Sequence, residues 1–380
     1  MKIRITTAAL ALLFLTAACT GEKNVKSLAG IDPDMATRKA GKNIRWVSAD
    51  MEPLRLSGLA FREKGGSFAR VPQKNLPPNV MKLGVCTSGV QLAFKTDSTK
   101  ISVRVTLDPP IQMDHMASTG SCGFDLYCGA PGARRYFGCT RFAVSREKPS
   151  YTAEIVGGMK KEMREYLINF PLYSGVKSFE LGLDPDAKVE APSAWSCENP
   201  VVWYGTSITQ GGCASRPGMC TTNILSRKWN RPILNFGFSG SGKGEHSVAV
   251  MLAGIQNPAM YILDYEANAK LPLLQKTLDD VIGTLRAKHP EVPIVVLSRS
   301  IHCKDFYLDL DTDAARDFQR RTVERRRASG DRALYFINGI SGEADLSEGT
   351  VDGIHLTDYG FARQSACLAP LLEKILEERP

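Results

Sequence analysis

Ser207 lies far from Asp352 and His355 in the 380-residue chain, yet the three side chains are those that move an acyl group. A serine hydroxyl is a weak nucleophile until a neighbouring imidazole takes its proton, and histidine titrates in the range that suits this exchange. A carboxylate such as Asp352, three residues before His355 in "VDGIHLTDYG", would orient the ring and stabilise its charged form. Attack on a carbonyl carbon places negative charge on its oxygen, so N–H donors are wanted nearby. The Ser207 amide, the Gly240 amide in "NFGFSGSGKG" and the Asn268 side chain in "DYEANA" are the candidates. His302, in "SRSIHCKD", is a candidate substrate contact. Each residue also has a plain structural reading. Thr206 and Ser207 would cap a helix, Asn268 would cap one beginning near Leu271, Gly240 would permit a positive φ, and His355 would be satisfied by backbone. Nothing in the proposed chemistry needs a metal or a cofactor.

Only a shared scaffold can gather these residues. From Val201 onward, apolar runs in "VVWY", "ILNFG", "MYILDY", "PIVVLS" and "ALYFING" alternate with helical stretches such as "LPLLQKTLDDVIGTLRAKH", "DTDAARDFQRRTVERRRA" and "DYGFARQSACLAPLLEKILEE". Strand and helix in turn mean βαβ units around a parallel sheet. In such a sheet every strand's carboxyl end lies on one edge, where open α/β sheets bind ligands. Ser207, Gly240, Asn268 and His302 each follow one strand, and Asp352 and His355 follow the last. Trp46 to Leu183 reads differently: "QLAFKT", "KISVRVTL", "SYTAEIV" and "REYLINFPLYSGVKSFELGL" alternate β-branched and aromatic residues between turns, as a sandwich does. Asp184 to Pro200, rich in Pro and polar residues, is expected as a linker or an ordered surface crossing.

With those blocks in order, the carboxyl-terminal half resembles the SGNH or GDSL-like serine hydrolases. "GTSITQG", "NFGFSG", "DYEAN" and "DGIH" look like that family's nucleophile, glycine, asparagine and final blocks. The resemblance implies Ser207 as nucleophile, Gly240 and Asn268 as oxyanion contributors, and Asp352 with His355 as the acid-base pair. Thr206 stands where the family usually has Asp, and "EANA" lacks the Gly before Asn268 and the Asp after it. Gly123-Phe124-Asp125-Leu126-Tyr127 is similar to the GxDLY signature of a β-sandwich that precedes one branch of bacterial SGNH hydrolases. The expected fold is therefore two-domain: a jelly-roll-like β-sandwich over 45–190, then a flavodoxin-like α/β/α hydrolase with a parallel five-stranded sheet over 197–380.

The amino terminus, "MKIRITTAALALLFLTAAC", has early cations, a short apolar core and small residues before Cys19, the layout of a secretory signal. A signal peptide over 1–19, lipidation at Cys19 and a flexible tether over 20–44 are expected, which would place the protein in the cell envelope and on a membrane; an ordinary cleaved signal is the alternative. The formal charge of +8 includes Lys2 and Arg4 of that leader. So modest an excess, with its densest cluster "RDFQRRTVERRR" spread around a helix, argues against nucleic acid as a partner. Ten cysteines show no zinc-ligand spacing and there is no HExxH. Cys213 and Cys220 are the first pair to test for a disulfide, with buried thiols as the alternative. By analogy with the family, the expected activity is removal of small acyl groups, acetyl foremost, from carbohydrate. A lipid-directed hydrolase and a catalytically inert glycan-binding lipoprotein are the alternatives.

Overall fold

The computed structural model describes residues 36–300, 302, 304–305, 308, 312–339 and 347–378. The expected leader and Cys19 lie outside the described residues. Thr37–Pro380 forms one compact unit, so both expected domains belong to a single body. The end of the expected tether lies along the sandwich, where the Arg38 amide donates to Arg141 and its carbonyl accepts from Glu154.

Among the described residues the amino-terminal region carries ten strands: β1 (Arg45–Ser48), β2 (Arg55–Ser57), β3 (Gln91–Thr96), β4 (Ile101–Leu107), β5 (Asp125–Cys128), β6 (Arg135–Cys139), β7 (Ser150–Val156), β8 (Arg164–Asn169), β9 (Val176–Leu183) and β10 (Val189–Glu190). They pair antiparallel in two sheets, one in the order β1-β9-β4-β7 and one in the order β10-β3-β8-β5-β6, with β2 also on β3. Alternation explains the pairing of faces. In β7, Tyr151, Ala153 and Ile155 point inward while the residues between them are exposed or half-buried. Val103 and Val105 from one sheet meet Leu92, Phe94 and Ile168 from the other in one buried cluster. Two short helices, α1 (Pro78–Gly84) and α2 (Ser118–Ser121), interrupt the strands. The crossing after β9 is ordered: β10 pairs with β3, and the Arg55 guanidinium lies 4.3 Å over the Trp195 ring.

Five parallel strands follow, β11 (Val201–Gly205), β12 (Ile233–Gly237), β13 (Met260–Asp264), β14 (Ile294–Leu297) and β15 (Leu334–Ile337), in the order β12-β11-β13-β14-β15. Among them run α3 (Ser207–Gln210), α4 (Thr221–Trp229), α5 (His246–Ala253), α6 (Glu266–Lys288), α7 (Thr312–Ala328) and α8 (Asp358–Glu377). Helices cover both faces. Leu252, Leu278 and Val323 pack with Val202 and Val296 on one side, and Leu225, Leu368 and Leu372 pack with Trp203 and Val295 on the other. This is the flavodoxin-like three-layer arrangement, and its switch point lies between β11 and β13, where α3 begins. The basic stretch of α7 is a solvated face as expected, with Arg320 paired to Glu324 at 2.8 Å.

Candidate active site

Glycines set the floor of the site. A Cβ on Gly205 would meet Thr209 Oγ1 at 2.0 Å, so β11 can turn into α3 against that side chain only without one. Ser207 is the first residue of α3, and Thr206 stands at its N-cap with no side-chain hydrogen bond, so Thr206 does not cap the helix. The Ser207 hydroxyl is 3.0 Å from His355 Nε2. His355 Nδ1 lies 2.7 Å from Asp352 Oδ2, while Asp352 Oδ1 accepts the His355 amide at 2.8 Å and the Ile354 amide at 3.0 Å. Burial pushes the Asp352 carboxyl up, but the bonds from His355 and Ile354 outweigh it and hold the group at about 2. Lys304 Nζ anchors the same loop by donating to the Asp352 carbonyl at 2.8 Å.

Asn235 on β12 fastens the glycine block. Its amide donates to the Thr209 carbonyl at 2.6 Å and its side-chain oxygen accepts the Gly237 amide at 2.9 Å, which ties the strand to α3. Beyond it the Phe238 amide bonds Gly205, and the Ser239 amide bonds the Gln210 side chain at 3.0 Å. Gly240 has φ of 65° in this turn, with open space where a Cβ would be. Among the described residues, neither the Ser207 amide nor the Gly240 amide has a protein acceptor. Asn268 Nδ2 donates to the Phe238 carbonyl at 3.2 Å, which joins the third block to the second and leaves its other N–H unclaimed. α6 breaks at Lys270, so a helical run does begin near Leu271, but the Asn268 side chain spends its bond on Phe238 rather than on a cap.

His302 lies two residues before Lys304, whose ammonium donates to the Asp352 carbonyl. It is 4% exposed, with its amide donating to Asp305 at 2.9 Å. Cys213 and Cys220 are free thiols rather than a disulfide, as is every described cysteine. Both are buried in a cluster with Met116, Leu172 and Leu356, so the buried-thiol alternative describes them.

Three neighbours carry no signal in the sequence. His115, from the sandwich, meets the His355 ring edge-on at 5.8 Å between centroids. Asp264, at the end of β13, is half-buried against α3 and accepts the Thr209 hydroxyl at 2.8 Å. Burial pushes its carboxyl up to about 7 against the hydrogen bonds from Thr209 and Trp203. Arg70 is fully buried and donates to the carbonyls of Leu83, Cys86, Asn235 and Gly237, so a cation of the amino-terminal region grips the strand that leads to Gly240.

Residues 198–373 match the GDSL-like lipase/acylhydrolase family, and residues 44–189 match the GxDLY domain, the N-terminus of SGNH-hydrolase-type esterases. A protein assigned as a GDSL-like lipase from Bacteroides ovatus is 32% identical, with a TM-score of 0.80 over 88% of this chain and 98% of that one. A salicylyl-acyltransferase from a tetracycline biosynthetic pathway shares the fold at 18% identity and a TM-score of 0.72, over 88% of this chain and 98% of its own. A family two carbohydrate esterase from Cellvibrio japonicus shares it at 14% identity and a TM-score of 0.57, with the same coverage of 88% and 98%. No curated protein matches the chain.

Proposed function

Because the chain belongs to the GDSL-like lipase/acylhydrolase family and is an esterase, we propose that it removes small acyl groups, acetyl foremost, from carbohydrate through an acyl-enzyme on Ser207. The observation that carries the reading is the relay from Ser207 Oγ through His355 to Asp352, at 3.0 and 2.7 Å. As Oγ attacks the ester carbonyl, His355 Nε2 takes its proton, and Asp352, ionised throughout the working range, stabilises the imidazolium. The carbonyl oxygen gains charge towards the Ser207 and Gly240 amides and the unclaimed Asn268 N–H. The imidazolium then protonates the departing sugar oxygen, and water repeats the sequence on the acyl-enzyme. Support for a sugar substrate comes from fold-level analogy. A family two carbohydrate esterase from Clostridium thermocellum, whose structure holds cellohexaose, shares the fold at a TM-score of 0.55.

The leader motif carries the second part of the reading, a cell-envelope protein anchored through Cys19. Mass spectrometry of the native amino terminus tests it: an unmodified terminus elsewhere than Cys19 would remove the anchor.

The substrate test is a panel of acetylated polysaccharides and of acyl esters of rising chain length, read as released acid. Acetate should lead. Preference for long-chain acids would turn the reading to a lipid-directed hydrolase, and inertness towards every ester would return the glycan-binding alternative. Ser207→Ala should keep the melting temperature and lose roughly 10⁴- to 10⁶-fold in turnover. A fluorophosphonate should label Ser207 in the parent protein; a label on another serine refutes the assignment.

A further inference from the structure

Donors from three distant segments meet beside the relay: His115 from the loop between β4 and β5, Cys213 from the segment after α3, and His355. One ring nitrogen of each histidine and the Cys213 Sγ all lie within 4.8 Å of one another. Each ring turns Nδ1 to a carboxylate, His355 to Asp352 at 2.7 Å and His115 to Asp114 at 3.2 Å. Metal-binding histidines have this outer shell, because a carboxylate on one ring N–H fixes the tautomer that leaves the other nitrogen's lone pair free and raises its basicity. Two imidazoles and a thiolate form a borderline-soft set suited to Zn²⁺, with a water in the fourth tetrahedral position.

We propose that His115, Cys213 and His355 bind Zn²⁺ as an inhibitory site, the ion taking the His355 Nε2 lone pair that Ser207 requires. Binding replaces the Cys213 S–H bond by S–Zn and releases one proton to solvent, and the hydrogen bond from Ser207 Oγ to Nε2 breaks. With Zn–N near 2.0 Å and Zn–S near 2.3 Å, the tetrahedral ligand atoms of this set lie about 3.3 to 3.5 Å apart, so the donors must draw in by up to about 1.5 Å. His115, half-exposed on its loop, is the ligand with room to make that move. The metal site stands on the cluster alone, whereas the inhibition rests on the acyl-transfer reading.

Co²⁺ is the spectroscopic probe for the full chain. Its titration should raise a near-ultraviolet thiolate-to-cobalt charge-transfer band with intense tetrahedral d–d bands, and Ser207→Ala, which retains all three ligands, should show both. Zn²⁺ should bleach those bands over the concentration range in which it suppresses ester hydrolysis, with EDTA restoring the rate. Cys213→Ser should lose the charge-transfer band while near-ultraviolet circular dichroism confirms its fold. His115→Ala should need at least about 10-fold more Zn²⁺ for half-inhibition, each variant being judged against its own metal-free rate. Absence of a thiolate band in the folded parent protein, or unchanged Zn²⁺ sensitivity in His115→Ala, overturns the proposal. A band in a protein that hydrolyses no ester keeps the metal site and removes the acyl-transfer reading instead.

Discussion

Asn268 is the residue at which the chemical and the structural readings part. Its amide holds the Phe238 carbonyl with one N–H and has the other to offer to a developing oxyanion. Because that bond strengthens as the oxygen gains charge, Asn268→Ala should lower kcat by about 10² to 10³ with little change in KM. Asn268→Asp brings a repelling charge and should be at least as damaging. Loss of the Phe238 bond alone would cost about 1 kcal/mol of stability and spare turnover, so kcat and Tm measured on both variants separate the two roles. A fast but less stable Asn268→Asp enzyme would remove Asn268 from the catalytic set. Ser207, Gly240, Asn268, Asp352 and His355 were legible because each follows a strand in a recognisable block. His115 and Arg70 were not: each acts on a segment far away in the chain, and neither sits in a periodic pattern.

At the scale of elements, strand ends decide what α3 rests on, and Asp264 at the end of β13 is the titrating part of that support. Its folded value of about 7 lies above the ordinary 3.8, so the folded protein holds this proton more tightly than the unfolded chain does. The resulting stability is complete below pH 3.8, declines as the pH rises towards about 7, and then levels off. Asp264→Asn should flatten that decline. Melting temperatures of parent and variant across this range test it, and a difference between them that does not change with pH would show that Asp264 is ionised throughout. All five parallel strands were legible as apolar runs, and β3, β4, β7 and the β8–β9 stretch as alternating β-branched and aromatic residues. By contrast β1, β2 and β10 are short and held by pairing with the longer β9 and β3, and β6 is largely exposed and paired with β5, so none of them has a pattern of its own. The strand β5 could be read only as part of a signature. Its Asp125 is buried and accepts Asn169, the Arg216 guanidinium at 2.9 Å and the Gly218 amide at 2.8 Å, so the motif is a docking contact onto the catalytic half.

Across the whole molecule the sandwich and the hydrolase share their interior. Met116 and Tyr173 of one pack with Cys213, Leu356 and Phe361 of the other, and the Thr119 hydroxyl bonds the Ser215 carbonyl at 2.6 Å. Arg70 is the deepest link. Arg70→Met keeps bulk but strips the donors from the buried Cys86, Asn235 and Gly237 carbonyls, so it should cost about 3 kcal/mol or more in urea unfolding. It should also lower kcat, because the strand it grips carries the Gly240 turn. A variant as stable and as fast as the parent would show that the two halves act independently. The relay itself joins Ser207 and His355, positions 148 residues apart. A chain grows from its amino terminus, so the sandwich and the serine exist well before the histidine does. On the acyl-transfer reading Ser207 is therefore unarmed while the 148 residues up to His355 are added, and a cut that removes the segment from Val351 onward disarms it without touching the serine.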